Sequence, residues 1–297
     1  MKHLITIADL TSAEAAGLVD LAGELKTRHA AGELEKRHDG KVVCLFFEKA
    51  SLRTRLSFEA AATHLGASSI FVGPDAGRLG ARETIADVAR TSSRYCDALV
   101  LRTHSHEAIV EMAEHASVPV INALSDRAHP CQALADMLTI KEKLGRLDGV
   151  KLAYIGDANN VALSLAHAAA RLGLQLTVAS PEGYRFGESF VKAAGDSLVQ
   201  LGDAAEAVRD ADVIYTDVWT SMGQEDERDK RLREFQGFQV DSKLVATAPD
   251  RVLVMHCLPA HRGEEISDEV IESDHSVVFD QAENRLHVAR ALFWELL

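Results

Sequence analysis

The sequence predicts an α/β protein built as two doubly wound parallel-sheet domains, with an active-site cleft between the domains. Two observations predict it. Short apolar runs of strand length alternate with amphipathic helical segments, which is the pattern of parallel sheets covered on both faces. The alternation also runs twice, with one long helical segment, Cys131 to Lys143, between the two runs. With 297 residues, 47% of them hydrophobic, the chain is long enough for two ordinary cores.

The elements follow in order. Thr11 with Glu14 forms a capping box, and Leu18, Leu21, Ala22 and Leu25 give the helix behind it one apolar face. Strands are then expected at Val42–Phe47, Ser69–Val72, Ala98–Leu101 and Val118–Ile121, with helices at Thr54–Leu65, Glu83–Arg94 and Glu107–His115. Gly66 ends the first of these helices, and Gly145 suits the end of the linking one. The second run reads as strand Leu152–Ile155, helix Val161–Leu172 and strand Gln175–Ala179, then strands Val213–Thr216, Val252–Met255 and Ser276–Phe279. Asp226–Arg233 is charge-dense and reads as a solvated helix. The resulting domains are 1–145 and 146–281, with a final helix, 282–297, packing back across the joint.

Composition narrows the partners. The formal net charge of −13 repels nucleic acid and anionic membranes, and 5% aromatic content offers few stacking platforms. Any anion site must therefore be made of convergent, short-range donors. None of Cys44, Cys96, Cys131 and Cys257 forms a Cys-x-x-Cys pair, so no zinc ribbon or redox motif is indicated. No signal peptide or membrane-length apolar run is seen, and a cytoplasmic location is expected.

Four clusters carry chemistry. Ser51, Leu52, Arg53, Thr54 and Arg55 stand between a strand and a helix. The open N–H groups and partial positive charge of a helix start, with two hydroxyls and a guanidinium, suit a phosphate. Arg53 and Arg55 lie two apart and face different sides of a helix, so Arg53 is assigned to the anion and Arg55 to structure. Arg102 ends a strand, where ligands sit in open α/β sheets. The second cluster is His129, Pro130, Cys131 and Gln132, before a helix: His129 can donate to a developing oxyanion and Gln132 can hold an amide-like group. In the third, Asp217, Trp219, Ser221, Met222 and Gly223 place a carboxylate for an amino group beside a turn that can surround an aliphatic chain. In the fourth, His256 and Cys257 are metal-ligand types, but no second pair lies at ligand spacing; a positioning or proton-handling role suits Cys257 better. Gly156 opens a turn resembling a dinucleotide loop, but Asp157 to Val161 contains no glycine, which argues against NAD. Asn160 there is placed for a small polar ligand.

Taken together, the Ser-x-Arg-Thr-Arg, His-Pro-Cys-Gln, Asp-x-Trp-x-Ser-Met-Gly and His-Cys-Leu-Pro motifs resemble the ornithine carbamoyltransferase family, from about Phe47 to the final helix. The resemblance implies transfer of a carbamoyl group from carbamoyl phosphate to L-ornithine, giving L-citrulline and phosphate, with no metal and no organic cofactor. It implies that carbamoyl phosphate is bound by Ser51, Leu52, Arg53, Thr54, Arg78, Arg102, His129, Pro130, Cys131 and Gln132. Cys257, Leu258 and Arg285 would close that site from the second domain. Ornithine would meet Asn160, Asp217, Ser221 and Met222, and the reacting centre would be served by Arg102, His129, Asp217 and Cys257. A homotrimer is implied, with Arg78 in a loop that reaches the neighbouring subunit's site; many members have Gln or His there, and Thr in place of Leu52. The nearest rival is a sibling transferase using putrescine or N-acylated ornithine. Asp217 with Ser221, Met222 and Gly223 favours a free α-amino acid. Intact Arg53, His129 and Cys257 argue against a non-catalytic regulator.

Overall fold

The computed structural model describes residues 1–76, 78–220 and 225–297, with only the backbone of Glu225. The chain divides into two compact units, Met1–Leu138 with Glu283–Leu297, and Thr139–Ala282.

The first unit opens with α1 (Ser12–Ala30). The Thr11 hydroxyl accepts from Glu14 N at 3.2 Å, and the Glu14 carboxylate accepts from Thr11 N at 2.9 Å, closing the capping box. The following elements alternate: β1 (Val42–Phe47), α2 (Leu52–His64), β2 (Ser68–Val72), α3 (Ile85–Ser92), β3 (Ala98–Arg102), α4 (His106–His115), β4 (Val120–Leu124) and α5 (Pro130–Leu144). The sheet runs β2-β1-β3-β4, every pair parallel. β3 is buried along its whole length, as a central parallel strand must be. Cys44, Leu99 and Leu101 pack from the sheet onto Ile109 and Met112 of α4.

The second unit repeats the pattern: β5 (Lys151–Ile155), α6 (Asn160–Leu172), β6 (Gln175–Ala179), α7 (Glu188–Ala194), β7 (Leu198–Leu201), α8 (Ala204–Val208), β8 (Val213–Thr216), α9 (Arg228–Glu234), α10 (Ser242–Val245), β9 (Leu253–His256) and α11 (Asp268–Ile271). Its five strands run β7-β6-β5-β8-β9, again all parallel. Ile155, Ile214 and Val254 of the sheet share a core with Trp219, Phe235 and Val240. The last helix is α12 (Val278–Leu296). Among the described residues, no helix is long and apolar enough to cross a membrane.

Three expectations need correction. Ser276–Phe279 is not a strand: Ser276 makes one isolated bridge to Val254, and α12 begins at Val278. Its run of Val277, Val278 and Phe279 is apolar because Val277 and Val278 are buried where the helix starts, not because it lies in a sheet. The strand expected at Val118–Ile121 instead spans Val120–Leu124. The charge-dense segment near Arg228 does form a helix, but Arg231 in it is buried rather than solvated.

Both sheets change winding direction once. In the first, the order turns between β1 and β3; in the second, between β5 and β8. Loops leaving two adjacent strands in opposite directions open a crevice at their C-terminal ends, where α/β sheets bind ligands. Ser51 and Arg102 stand at the first such point, Asn159 and Asp217 at the second.

Candidate active site

In the first unit, Ser51 caps α2: its hydroxyl accepts from Thr54 N and lies 2.9 Å from Thr54 Oγ1. Thr54 is fully buried, because it faces inward one turn into the helix. Arg285 of α12 ties this helix start to α5. Its Nη2 donates to Thr54 Oγ1 at 2.7 Å and its Nη1 to Gln132 Oε1 at 2.6 Å. Gln132 in turn donates to Asp136 Oδ1 at 2.8 Å, which fixes which end of its amide faces Arg285. Arg285 thus belongs to the first compact unit, which corrects the expectation that it closes the site from the second domain. Sequence order placed it after the second sheet; α12 returns it to the first unit.

Arg102 ends β3, where the register with β4 shifts between Leu101 and Arg102. A bulge of this kind re-aims the side chain that leaves the strand. Arg102 and His129 are both buried. Burial first, then the positive charges of Arg285 and Arg102, holds the His129 imidazole well below its usual range, so it is neutral and keeps an N–H to donate. The Cys131 thiol donates to the Asn122 carbonyl at 3.3 Å, and burial pushes it up to about 12. Pro130 is the first residue of α5, where a missing N–H costs nothing. Leu52 is 69% exposed at the start of α2, so only its backbone is placed among the capping groups. Arg55 pairs with Glu59 at 3.0 Å and lies over the Phe71 ring, so it is engaged structurally. Arg78 is exposed and lines a cavity of about 380 Å³ with Phe47, Glu48, Leu79 and Arg82. Glu48 shapes that region by accepting from Leu79 N and His104 N, both at 2.8 Å.

In the second unit, Asp217 is the centre. Its Oδ1 accepts from Val218 N at 2.9 Å and from the Cys257 thiol at 3.0 Å. Its Oδ2 accepts from Asn159 Nδ2 at 2.9 Å. Asn159 reaches it because Gly156, at φ 147°, lets the chain leave β5 in a conformation that a side chain resists. Asn160 is the first residue of α6 and partly buried beside this group. Ser221 and Met222 lie outside the described residues. Trp219 is buried against Phe235, with ring centroids 5.3 Å apart, so it belongs to the core rather than to a ligand pocket.

After Cys257 the chain turns sharply. Leu258 has φ 55°, unusual for a side chain of its size, and the Leu258–Pro259 peptide is cis. His256 holds the turn: its Nδ1 accepts from Leu258 N at 2.8 Å, so its proton sits on Nε2, 2.9 Å from buried Glu265. Asp217, His256 and Cys257 bring ligand-type atoms within 4.8 Å of one another. The donor set still does not suit a metal, because both ring nitrogens of His256 are committed and the thiol is bonded to Asp217.

Sequence reasoning missed three supporting groups. Asn159 contacts Asp217, and its position just before a helix was the available signal. Arg231 pairs with Asp157 at 2.6 Å and donates to the Trp219 carbonyl at 2.8 Å, joining the β5 and β8 loops. Glu265 supports His256 from nine residues away, with no motif to announce it.

The comparisons agree over the whole chain. A family model described as the aspartate/ornithine carbamoyltransferase carbamoyl-P binding domain matches residues 2–142, and one described as the Asp/Orn binding domain matches residues 148–296. An ornithine carbamoyltransferase of Acidothermus cellulolyticus is 52% identical over 305 residues, covering 100% of this chain and 97% of that protein. The solved ornithine carbamoyltransferase from Pyrococcus furiosus superposes with a TM-score of 0.95 at 46% identity, covering 100% of this chain and 96% of that one. The one from Thermus thermophilus gives 0.92 at 43% identity, covering 100% and 99%.

Proposed function

The chain belongs to the aspartate/ornithine carbamoyltransferase family, and on that premise we propose that it carries the carbamoyl group of carbamoyl phosphate to the δ-amine of L-ornithine, giving L-citrulline and phosphate. What carries this reading is the full-length identity to an ornithine carbamoyltransferase across both domain models.

In this reading the domains are a carbamoyl-phosphate-binding part and an ornithine-binding part. Ser51, Leu52 through its backbone, Arg53 and Thr54 hold the phosphate at the start of α2. The neutral δ-amine attacks the carbonyl carbon, and negative charge grows on the carbonyl oxygen. Thr54, Arg102 and neutral His129 stabilise that charge. Attack forms the C–N bond; collapse of the tetrahedral adduct then breaks the C–O bond to phosphate, and the departing phosphate takes the proton that the amine gives up. Asp217 and Cys257 orient the amino group, with Asn160, Ser221 and Met222 shaping the rest of the ornithine pocket. Bringing both substrates together supplies a large share of the acceleration.

The finer expectations are part of the same proposal: a cytoplasmic homotrimer in which Arg78 serves a neighbouring subunit's carbamoyl phosphate. Its extra charge tightens phosphate binding relative to a Gln in that place. Arg78→Gln leaving the apparent affinity for carbamoyl phosphate unchanged overturns that part. The reaction itself is tested by incubating the purified chain with carbamoyl phosphate and ornithine and measuring citrulline.

A further inference from the structure

We propose that Asn159 is a positioning residue for the acceptor substrate: it locks the Asp217 carboxylate in the orientation that receives ornithine's amino group. The inference rests on the reading above, in which Asp217 is that receptor.

Asn159 does two things at once. Its Oδ1 accepts from Val161 N at 2.9 Å and Ala162 N at 3.2 Å, capping α6. It also accepts from the Tyr154 hydroxyl at 3.2 Å. Three donors converge on that atom, so it must be the oxygen, and the amide nitrogen must face Asp217. The amide orientation is thus set by the helix cap.

Tyr154 is held just as firmly. It is fully buried in β5, with its ring 5.7 Å from that of Tyr215. Tyr215 in turn accepts from Gln281 at 3.1 Å. A rigid chain therefore runs from the sheet through Tyr154 and Asn159 to Asp217.

Asp217 needs such support. Each carboxylate oxygen has two lone pairs. Those of Oδ1 are taken by Val218 N and the Cys257 thiol. Oδ2 receives Asn159 and retains capacity for one more strong donor. A substrate ammonium or amine supplies that donor. Without Asn159 the carboxylate can rotate about its Cβ–Cγ bond and present Oδ2 elsewhere.

The test separates a cap from a positioning group. Asn159→Asp keeps the cap, since Asp caps a helix as well as Asn does. It replaces the amide donor with a second carboxyl group against Asp217, which can donate only while it holds a proton. Two carboxylates in contact repel, so one of them takes up a proton at a higher pH than it would alone. The expected result is a rise of about 10- to 100-fold in the KM for ornithine, as for a lost hydrogen bond to a charged group. The KM for carbamoyl phosphate stays near the parent value, and the acid limb of kcat/KM for ornithine moves to higher pH. Asn159→Ser keeps a cap without a second carboxylate, so its ornithine KM rises with no shift of the limb; it decides the matter if Asn159→Asp fails to fold by circular dichroism. Asn159 variants with the parent's ornithine KM and pH profile overturn the inference. Asp217→Asn serves as the control: if it too leaves the ornithine KM unchanged, the role given to Asp217 falls first, and the inference with it.

Discussion

In the first unit Arg102 ends a strand, Arg53 stands at the adjoining helix start and Arg285 reaches that start from α12; at the strand ends of the second, the central charge is the carboxylate of Asp217. The backbone solution is the same in both: a parallel sheet whose order turns once, and a capped helix start beside the turn. What differs is the polarity of the groups placed there. The first set suits an anion, the second an amine. A chain with a net charge of −13 gives its anion site no long-range help, so the first unit buries the Arg285 guanidinium between the Thr54 hydroxyl and the Gln132 amide. The second unit faces no such conflict, and its carboxylate is steadied by a thiol, an amide and one backbone N–H.

The contrast predicts mutations that damage one substrate and spare the other. Arg53→Ala should lower kcat/KM for carbamoyl phosphate by about 10²–10³-fold, with the far-ultraviolet dichroism unchanged, because its cost falls on binding a charge rather than on the core. An equal loss for both substrates would blur the division. Next comes the second unit's internal ion pair. Asp157→Asn breaks the contact with buried Arg231 and should cost about 3 kcal/mol in a denaturant titration. Burial pushes the Asp157 carboxyl up against the pull of Arg231, so a much smaller cost would mean the pair adds little beyond its own desolvation.

Arg285→Lys is a milder break. Lysine keeps the charge but cannot donate to Thr54 and Gln132 in one fork, and the KM for carbamoyl phosphate should rise about tenfold. Acid should act on the first unit. His64, His129 and His287 are all held below the ordinary histidine value by burial, His287 at about 4. Below pH 6.5 the unfolded chain takes up protons that these folded imidazoles refuse. Stability is therefore full above that pH and falls as the pH drops toward 4, which a series of melting temperatures will show. The smallest effect is expected for Leu52→Thr: a side chain 69% exposed, contributing through its backbone, should change kcat/KM less than about threefold.

Much of this was legible in the sequence, for identifiable reasons. Central strands such as Val42–Phe47 and the Ala98–Leu101 stretch of β3 are largely buried on both faces and so are apolar throughout. β7, Leu198–Leu201, escaped notice because it is an edge strand whose exposed Val199 and polar Gln200 interrupt the run. Ser276–Phe279 was misread because four residues cannot distinguish a strand from the buried start of a helix. The motif residues announced themselves by type and by place at strand ends. Their supports did not: Arg231 lies 74 positions from Asp157, and Arg285 lies 231 from Thr54. Only folding makes such pairs neighbours. Asn159 was within reach, since a residue just before a helix is its expected cap.

One measurement bears most directly on the opposed polarity of the two units: citrulline formation from carbamoyl phosphate and ornithine, set beside the carbamoylation of putrescine and of acetylornithine at the same concentrations. Ornithine should be used far faster than either, because only it offers a free α-amino acid to the Asp217 side together with a δ-amine to the donor. Equal or faster turnover of putrescine or acetylornithine would contradict the assignment.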